Sequence, residues 1–417
     1  MVATDDVHNF KGRLKKERER VETADIDDRD RDALLQFLVE KDGQIKMSSL
    51  VQYSRSIRKA ARVSDVPLVD MDLGDYERLV YRLRHEVGNK DKTVRNTENA
   101  LCGFLKDILD REWVDDVDRV QPAENTVEAS DMLAPEDIKA LVDACRHQRD
   151  VAFIEFLADT GARLSLVLSL RVRDVDLDGE RATYQPNPNA LGTKGAKTKP
   201  YPIIDSAAIV RGYLRDSHPR PDEPEAALFH KIQHFAGDID EDDGAISPSA
   251  ARRQLLRIAD RAGVDKPVNP HNFRHTAITR MFREGYSRGQ IQHRVQWSVD
   301  TEMWSKYVHL TADELNEDIF ATAGVGDADS EASDPTRREC GQCREKLAPH
   351  HEYCPRCGEA ATPSARERVN EFHDVGVEKL ADADLTASER RFLSTALKVA
   401  RADNSAVHAA DPPSSDG

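Results

Sequence analysis

Cys340 and Cys343, followed after ten residues by Cys354 and Cys357, repeat one CxxC spacing, and no other stretch dictates its own local structure so tightly. Each pair offers two thiolates that can close on one ion, and four complete the tetrahedral shell of Zn²⁺. Gly341, Gly358 and Pro355 suit tight knuckles that turn the sulfurs inward. Two disulfides or a redox pair would need an oxidising or catalytic setting, whereas Met1 to Arg20 is polar and charged rather than signal-like. A small zinc ribbon over 338–360 is therefore expected, and four thiolates leave no open position, so its ion is structural. Cys102 and Cys145 lie among apolar neighbours and read as core residues.

Helical spacing dominates the rest. Leu34, Leu35, Phe37 and Leu38 mark one helix, Leu50, Tyr53, Ile57 and Ala60 another, and Leu101, Phe104, Leu105, Ile108 and Leu109 a third. No strand pattern interrupts them, so 9–118 is expected to be an all-helical domain, with a linker near Gln121 to Ser130. Pro135 then opens a helix, a second runs from Val151 to Leu157, Gly161 ends it and Ser165 to Leu170 restarts one. The runs Arg181 to Gln185 and Lys199 to Ile204 read as two strands joined by a Pro/Gly/Asn-rich connection, with Pro200 and Pro202 confining the second to a sheet edge. Helices follow from Ala207 to Arg215, from Ser249 to Ala262 and from Thr276 onward, and Thr311 with Glu314 signs the start of one through Phe320. The fold class expected is mainly α with a small antiparallel sheet (α+β), the mixed domain spanning 131–324. A last helix over 377–401 precedes a tail, 402–417, of disordered composition.

At 417 residues and 39% hydrophobic content the chain is long enough for two or three cores. It lacks the roughly 18 uninterrupted apolar residues that span a bilayer, so a cytoplasmic, non-membrane protein is expected. A net charge of −16 opposes a nucleic-acid partner only if spread evenly. It is not: Lys11, Arg13, Lys15, Lys16, Arg18 and Arg20 cluster, as do Lys194, Lys197 and Lys199, and Arg252, Arg253, Arg257 and Arg261, whereas acid concentrates at 238–243 and 327–334. Abundant Asp, with Arg outnumbering Lys, suits a salt-adapted surface.

Four groups in chain order carry phosphodiester chemistry. Arg163, after the Gly161 break, and Arg274 offer planar donor forks that stay charged and match phosphate oxygens. His271 lies three residues before Arg274, on one helix face with it. A lysine of the 194–199 turn can protonate a leaving oxygen, and these residues alone do not rank Lys194, Lys197 and Lys199. Tyr307, in the polar setting Ser305-Lys306-Tyr307-Val308-His309, would be the nucleophile, needing nearby cations to favour its ionised form.

The ordered set resembles the catalytic domain of the tyrosine recombinases, the phage integrase family. LAPEDIKALVDA resembles the family's domain start, TGARLSLVLSLRVRDVDLD its first arginine box, HNFRHTAITRMFREG its second, and YVHL its nucleophile box. The family's hairpin motif KGxKxRxxP resembles Lys194 to Pro202, which selects Lys194. Two departures stand out. Leu166 follows Ser165 where the family has Glu, and Gln296-Trp297-Ser298 replaces the usual GH before the tyrosine. Some members carry Trp at that site, so Trp297 is taken as the third-box residue, its indole N–H donating as His would.

The resemblance implies that 9–118 is a core-binding domain clamping double-stranded DNA. It implies attack by Tyr307 to give a 3′-phosphotyrosyl enzyme and a free 5′-hydroxyl, with no catalytic metal or nucleotide. It also implies a homo-tetramer on DNA, with the helix from Ala312 to Phe320 docking on a neighbour. The expected function is site-specific recombination or integration at the nucleoid. The rival is a sequence-specific DNA-binding regulator that keeps the fold without strand exchange, and a zinc hydrolase is disfavoured because no open metal site is visible.

Overall fold

Amphipathic stripes at helical spacing need a partner surface, and in the first part of the chain five helices supply one another's. The computed structural model describes residues 2–123, 129–179, 181–193, 196–297 and 338–380, together with positions 386 and 390. Its first unit comprises Met1–Thr126 with Asn189–Lys194. There α1 (Phe10–Glu22), α2 (Asp28–Glu40), α3 (Met47–Val63), α4 (Leu73–His85) and α5 (Asp91–Asp107) close over Leu34, Phe37, Leu50, Ile57, Leu79, Leu101 and Phe104. Two of the helices, α1 and α4, were not expected from the apolar spacing: α1 is mostly charged, whereas α4 does bury Tyr76, Leu79 and Leu83 along one face. Buried Asp30 accepts from the backbone N–H groups of Leu68 and Val69, both at 2.9 Å, fixing the turn into α4. Arg20, Arg55, Arg58, Lys59 and Arg62 of α1 and α3 line a groove of about 490 Å³.

The second unit, Val127–Pro188 and Gly195–Gly417, is built around a helix with no solvent face. Its described elements are α6 (Pro135–Asp143), α7 (Gln148–Thr160), α8 (Leu164–Ser169), β1 (Val175–Asp176), β2 (Thr183–Tyr184), β3 (Tyr201–Pro202), α9 (Ala207–Asp216), α10 (Pro248–Ala262), α11 (Pro270–Arg283) and α12 (Arg288–Arg294). Every residue of α7 from Ala152 to Thr160 is buried, with α6, α9 and α11 packed around it. A chain of ring contacts at 5.2–5.6 Å joins Phe153, Phe229, Phe156, Tyr184 and Tyr201, tying α7 to the sheet.

The sheet has three strands in the order β1-β2-β3, all antiparallel, with Tyr184 opposite both Val175 and Tyr201. Two differences from the sequence reading appear here. The strands are shorter than Arg181–Gln185 and Lys199–Ile204, because Pro186 and Pro188 after β2, and Pro200 and Pro202 around β3, cannot donate to a ladder. The strand β1 carries only two residues, too few for an alternation to show. The outer position of β3 agrees with its prolines.

Strands β4 (Arg338–Glu339) and β5 (Lys346–Leu347) pair Arg338 with Leu347, and a final helix runs Pro363–Leu380. It begins fourteen residues before Val377, at the Thr362 hydroxyl that accepts from the N–H of Ala365 at 3.1 Å, a Ser/Thr cap that apolar spacing alone does not reveal. Most of the 377–401 span, all of 298–337 and the tail 402–417 lie outside the described residues. None of the described helices is long and apolar enough to cross a membrane.

Candidate active site and metal centre

The end of α7 creates the site. Gly161 takes φ 59° as the helix C-cap, and a Cβ there would lie 3.0 Å from the Ala277 Cβ on α11. Both facts call for glycine. The chain then reverses, and Arg163 becomes the N-cap residue of α8. On α11, Asn269 accepts from the N–H groups of His271 and Asn272 at 3.0 and 3.1 Å, and Pro270 fills the first helical position. This cap fixes the start of the HxxR helix, so His271 lies exposed near its N-terminus and Arg274 one turn on is 5% exposed.

Arg274 is held by two carbonyls. Its Nη1 donates to Gly161 O at 2.7 Å and its Nη2 to Val295 O at 2.6 Å, while the guanidinium lies 5.5 Å from the centroid of the Trp297 ring. Arg163 Nη1 donates to the next carbonyl, Gln296 O, at 3.3 Å. The two arginines, 111 positions apart, thus converge on the Val295–Gln296 corner. Burial lowers the pKa of Arg163, yet an arginine starts so high that it remains a cation.

That corner is itself shaped. Gln296 has φ 55°, and its Nε2 donates to the Tyr184 hydroxyl at 2.6 Å, so β2 braces the turn that receives Arg163. Trp297 is 9% exposed and packs with Ala277, Ile278, Met281, Ile291 and Val295.

Of the six catalytic residues expected from sequence, Arg163, Arg274 and Trp297 come together and His271 sits one helical turn before Arg274 on α11. Lys194 and Tyr307 lie outside the described residues.

Sequence reasoning missed Asp159. This residue is 1% exposed, and its Oδ2 accepts from Ile204 N at 2.8 Å, Ser206 N at 3.1 Å and Ser206 Oγ at 2.9 Å. Its Oδ1 pairs with Arg294 Nη2 at 2.5 Å. One carboxylate therefore fixes the end of α7, the chain leaving β3 and the last turn of α12, the three elements that set the arginine corner. The available signal was an acid at the end of a mostly apolar helix, two residues before Gly161.

The cysteines form two copies of one turn. Cys340 N donates to Glu345 O at 2.9 Å and Arg344 N to Cys340 O at 3.0 Å. Cys354 N likewise donates to Glu359 O, and Gly358 N to Cys354 O, both at 2.8 Å. Arg344 and Gly358, each four residues after the first cysteine of its pair, have φ 56° and 78°. The sulfurs of Cys340 and Cys357, and of Cys343 and Cys354, are 3.5 Å apart, too far for disulfides. All four lie within 4.8 Å of one another. Tetrahedral thiolates at the usual Zn–S length stand about 3.8 Å apart, so the four sulfurs fit a single ion.

The profile of the phage integrase family matches residues 131–314. Residues 131–314 belong to the phage integrase family. This phage-integrase domain includes the whole arginine corner. Tyrosine recombinase XerD of Corynebacterium glutamicum is 30% identical over 197 residues, covering 45% of this chain and 59% of the relative. Tyrosine recombinase XerC of Xanthomonas campestris pv. campestris strain B100 is 31% identical over 174 residues, 42% of this chain and 48% of the relative. The chain thus spans about half the length of these two relatives. XerD of Chlorobaculum tepidum, 26% identical over 261 residues, is covered to 79%. Among solved structures, the Tn1549 transposon integrase in complex with circular intermediate DNA aligns over 69% of this chain and 98% of its own at 16% identity, TM-score 0.47.

Proposed function

We propose that this protein is a site-specific DNA recombinase or integrase that cuts and rejoins duplex DNA through a 3′-phosphotyrosyl intermediate. The convergence of Arg163 and Arg274 on adjacent carbonyls carries the reading. Two guanidiniums brought to one corner suit the nonbridging oxygens of one phosphate, where negative charge builds in the transition state. Membership of 131–314 in the phage integrase family supports the reaction class.

In this mechanism the Tyr307 oxygen attacks phosphorus as the bond to the 5′-oxygen breaks, and Lys194 delivers a proton to that leaving oxygen. The free 5′-hydroxyl of a partner strand later attacks the phosphotyrosine and releases Tyr307. Phosphodiester energy is retained in the covalent bond, so no nucleotide or catalytic metal enters. His271 and Trp297 serve as further donors at the phosphate. The helical unit, with its Arg20–Arg62 groove, would grip the duplex as a core-binding domain, and four chains would assemble on paired sites in the cytoplasm, at the nucleoid. The four cysteines would hold one structural Zn²⁺.

A nicked suicide duplex carrying the cognate site tests the proposal. The wild-type protein should become covalently attached to DNA, and Tyr307→Phe should not. Tight binding of that duplex without any adduct would leave the regulator reading instead. A 5′-bridging phosphorothiolate leaves without a proton, so it should rescue Lys194→Ala; rescue of Lys197→Ala in its place would move the role.

A further inference from the structure

The ten residues between the two CxxC turns hold a contact that the reaction does not use. Glu155, midway along α7, is 2% exposed at its side chain, and its Oε1 receives His350 Nε2 at 2.8 Å and His351 Nε2 at 3.4 Å. Both imidazoles are themselves buried, at 5% and 7% side-chain exposure. Burial opposes the charge on Glu155, and the two histidines overcome that penalty and hold its carboxyl below the usual range.

The loop carrying these histidines is rigid from within. Arg338 at the start of the ribbon donates from Nη2 to Pro349 O and His351 O, both at 3.1 Å, and from Nη1 to Ala361 O at 3.3 Å. A second tie, Lys139 Nζ to Glu352 Oε2 at 3.3 Å, reaches α6. The loop borders a groove of about 620 Å³ that Val151, Ala208, Ile209 and Tyr213 also line.

The same three side chains form a possible ligand set, since their donor atoms lie within 4.8 Å of one another. The tautomer argues for hydrogen bonds instead. Ala348 N donates to His351 Nδ1 at 3.3 Å, which places the ring proton of neutral His351 on Nε2, the atom facing Glu155. A metal-bound imidazole normally has the reverse arrangement, with its free nitrogen donating.

We propose that residues 349–353 are a latch between the ribbon and the phage-integrase domain, so that ion binding at the cysteines and the seating of α7 stabilise each other. The latch loop joins the two cysteine turns, and its position is set when one ion closes both. The acceptor, Glu155, lies one turn before Asp159 and two turns before the Gly161 corner that holds Arg274. By linkage, whatever the ion contributes to the latch, the latch returns to the ion. The ribbon on this reading is a buttress of the catalytic fold rather than a tethered finger that reads DNA. The proposal rests on the zinc assignment of the cysteines, and its test separates the two.

The full-length protein is loaded with Zn²⁺ and assayed for metal content, for zinc release to a chelating dye and for thermal unfolding. Glu155→Leu suits the apolar surroundings of α7, keeping the helix while removing the acceptor. Glu155→Gln keeps a weaker one, and His350→Gln with His351→Gln approaches from the ribbon. Wild type should hold one ion per chain and release it about 5- to 150-fold more slowly than Glu155→Leu, the range of ordinary site-to-site coupling, with Glu155→Gln between. Zinc removal should lower the melting temperature of wild type and leave that of Glu155→Leu nearly unchanged. Equal release rates, or equal losses of melting temperature, in wild type and all variants would overturn the latch while leaving the zinc assignment intact. Two ions in wild type and one in Glu155→Leu would replace the latch by a metal site. No zinc in wild type would remove both readings at once, and wild type alone would report it.

Discussion

The arginines of the corner are held at their guanidinium groups by backbone carbonyls and so have little freedom to compensate for one another. Arg274→Ala removes both carbonyl contacts and the cation over Trp297, and covalent adduct formation should slow about 10²- to 10³-fold, as for loss of one transition-state donor. Arg274→Lys should recover little of this, because an ammonium cannot span Gly161 O and Val295 O while also facing a phosphate. Single-turnover cleavage at saturating protein measures both, and near-wild-type rates for either would detach Arg274 from the chemistry. Gly161 answers to a different constraint. With φ 59° and Ala277 Cβ 3.0 Å from any added methyl, Gly161→Ala should destabilise the fold by about 1–2 kcal/mol. A shift of the urea midpoint at constant slope reads that cost.

Among elements, α7 decides most. Three acids interrupt its apolar surface, and each meets a different part of the second unit: Asp150 accepts from Gln254 of α10 at 2.8 Å, Glu155 from the ribbon histidines, and Asp159 from Arg294 of α12. Buried charges of this kind specify arrangement more than they add stability, because desolvation offsets their attraction. Removing one partner exposes the difference. Asp159→Leu leaves Arg294 charged at 3% exposure and should cost about 3–5 kcal/mol, whereas adding Arg294→Met should recover only the part due to the stranded cation, because Ile204 N, Ser206 N and Ser206 Oγ still lack their acceptor. A double-mutant cycle by chemical denaturation distinguishes this from additive losses. The acid positions also show where sequence reading stops. The helical spacing and the Gly161 stop were legible because they are local, whereas α11 starts at Pro270, six residues before the Thr276 start that apolar spacing suggested. The partners of Asp159 lie 45 to 135 positions away, and no spacing rule connects them.

For the molecule as a whole, a charge of −16 implies self-repulsion that counterions relieve. The melting temperature should therefore rise when dilute buffer is replaced by molar KCl, and a flat or falling value would refute a salt-adapted surface. The cationic groups proposed to grip DNA are placed against this background: Arg20, Arg55, Lys59 and Arg62 line one groove of the helical unit, although α1 and α3 are separate in sequence.

Sequence by itself determined the helical character of both units, the outer position of the proline-bearing strand and the four-cysteine turns, and it singled out the two arginines that the fold brings to one corner. Each follows from chemistry confined to a few neighbouring residues: periodic apolar spacing, a missing N–H, paired thiolates, a capped helix start. Tertiary structure alone decided that Gln296 and β2 brace the arginine corner, that Asp159 binds three elements together, and that two histidines of the ribbon loop face a glutamate nearly 200 positions earlier. A buried polar side chain must find a partner, but the chain identifies that partner only once folding has brought distant segments within hydrogen-bond reach.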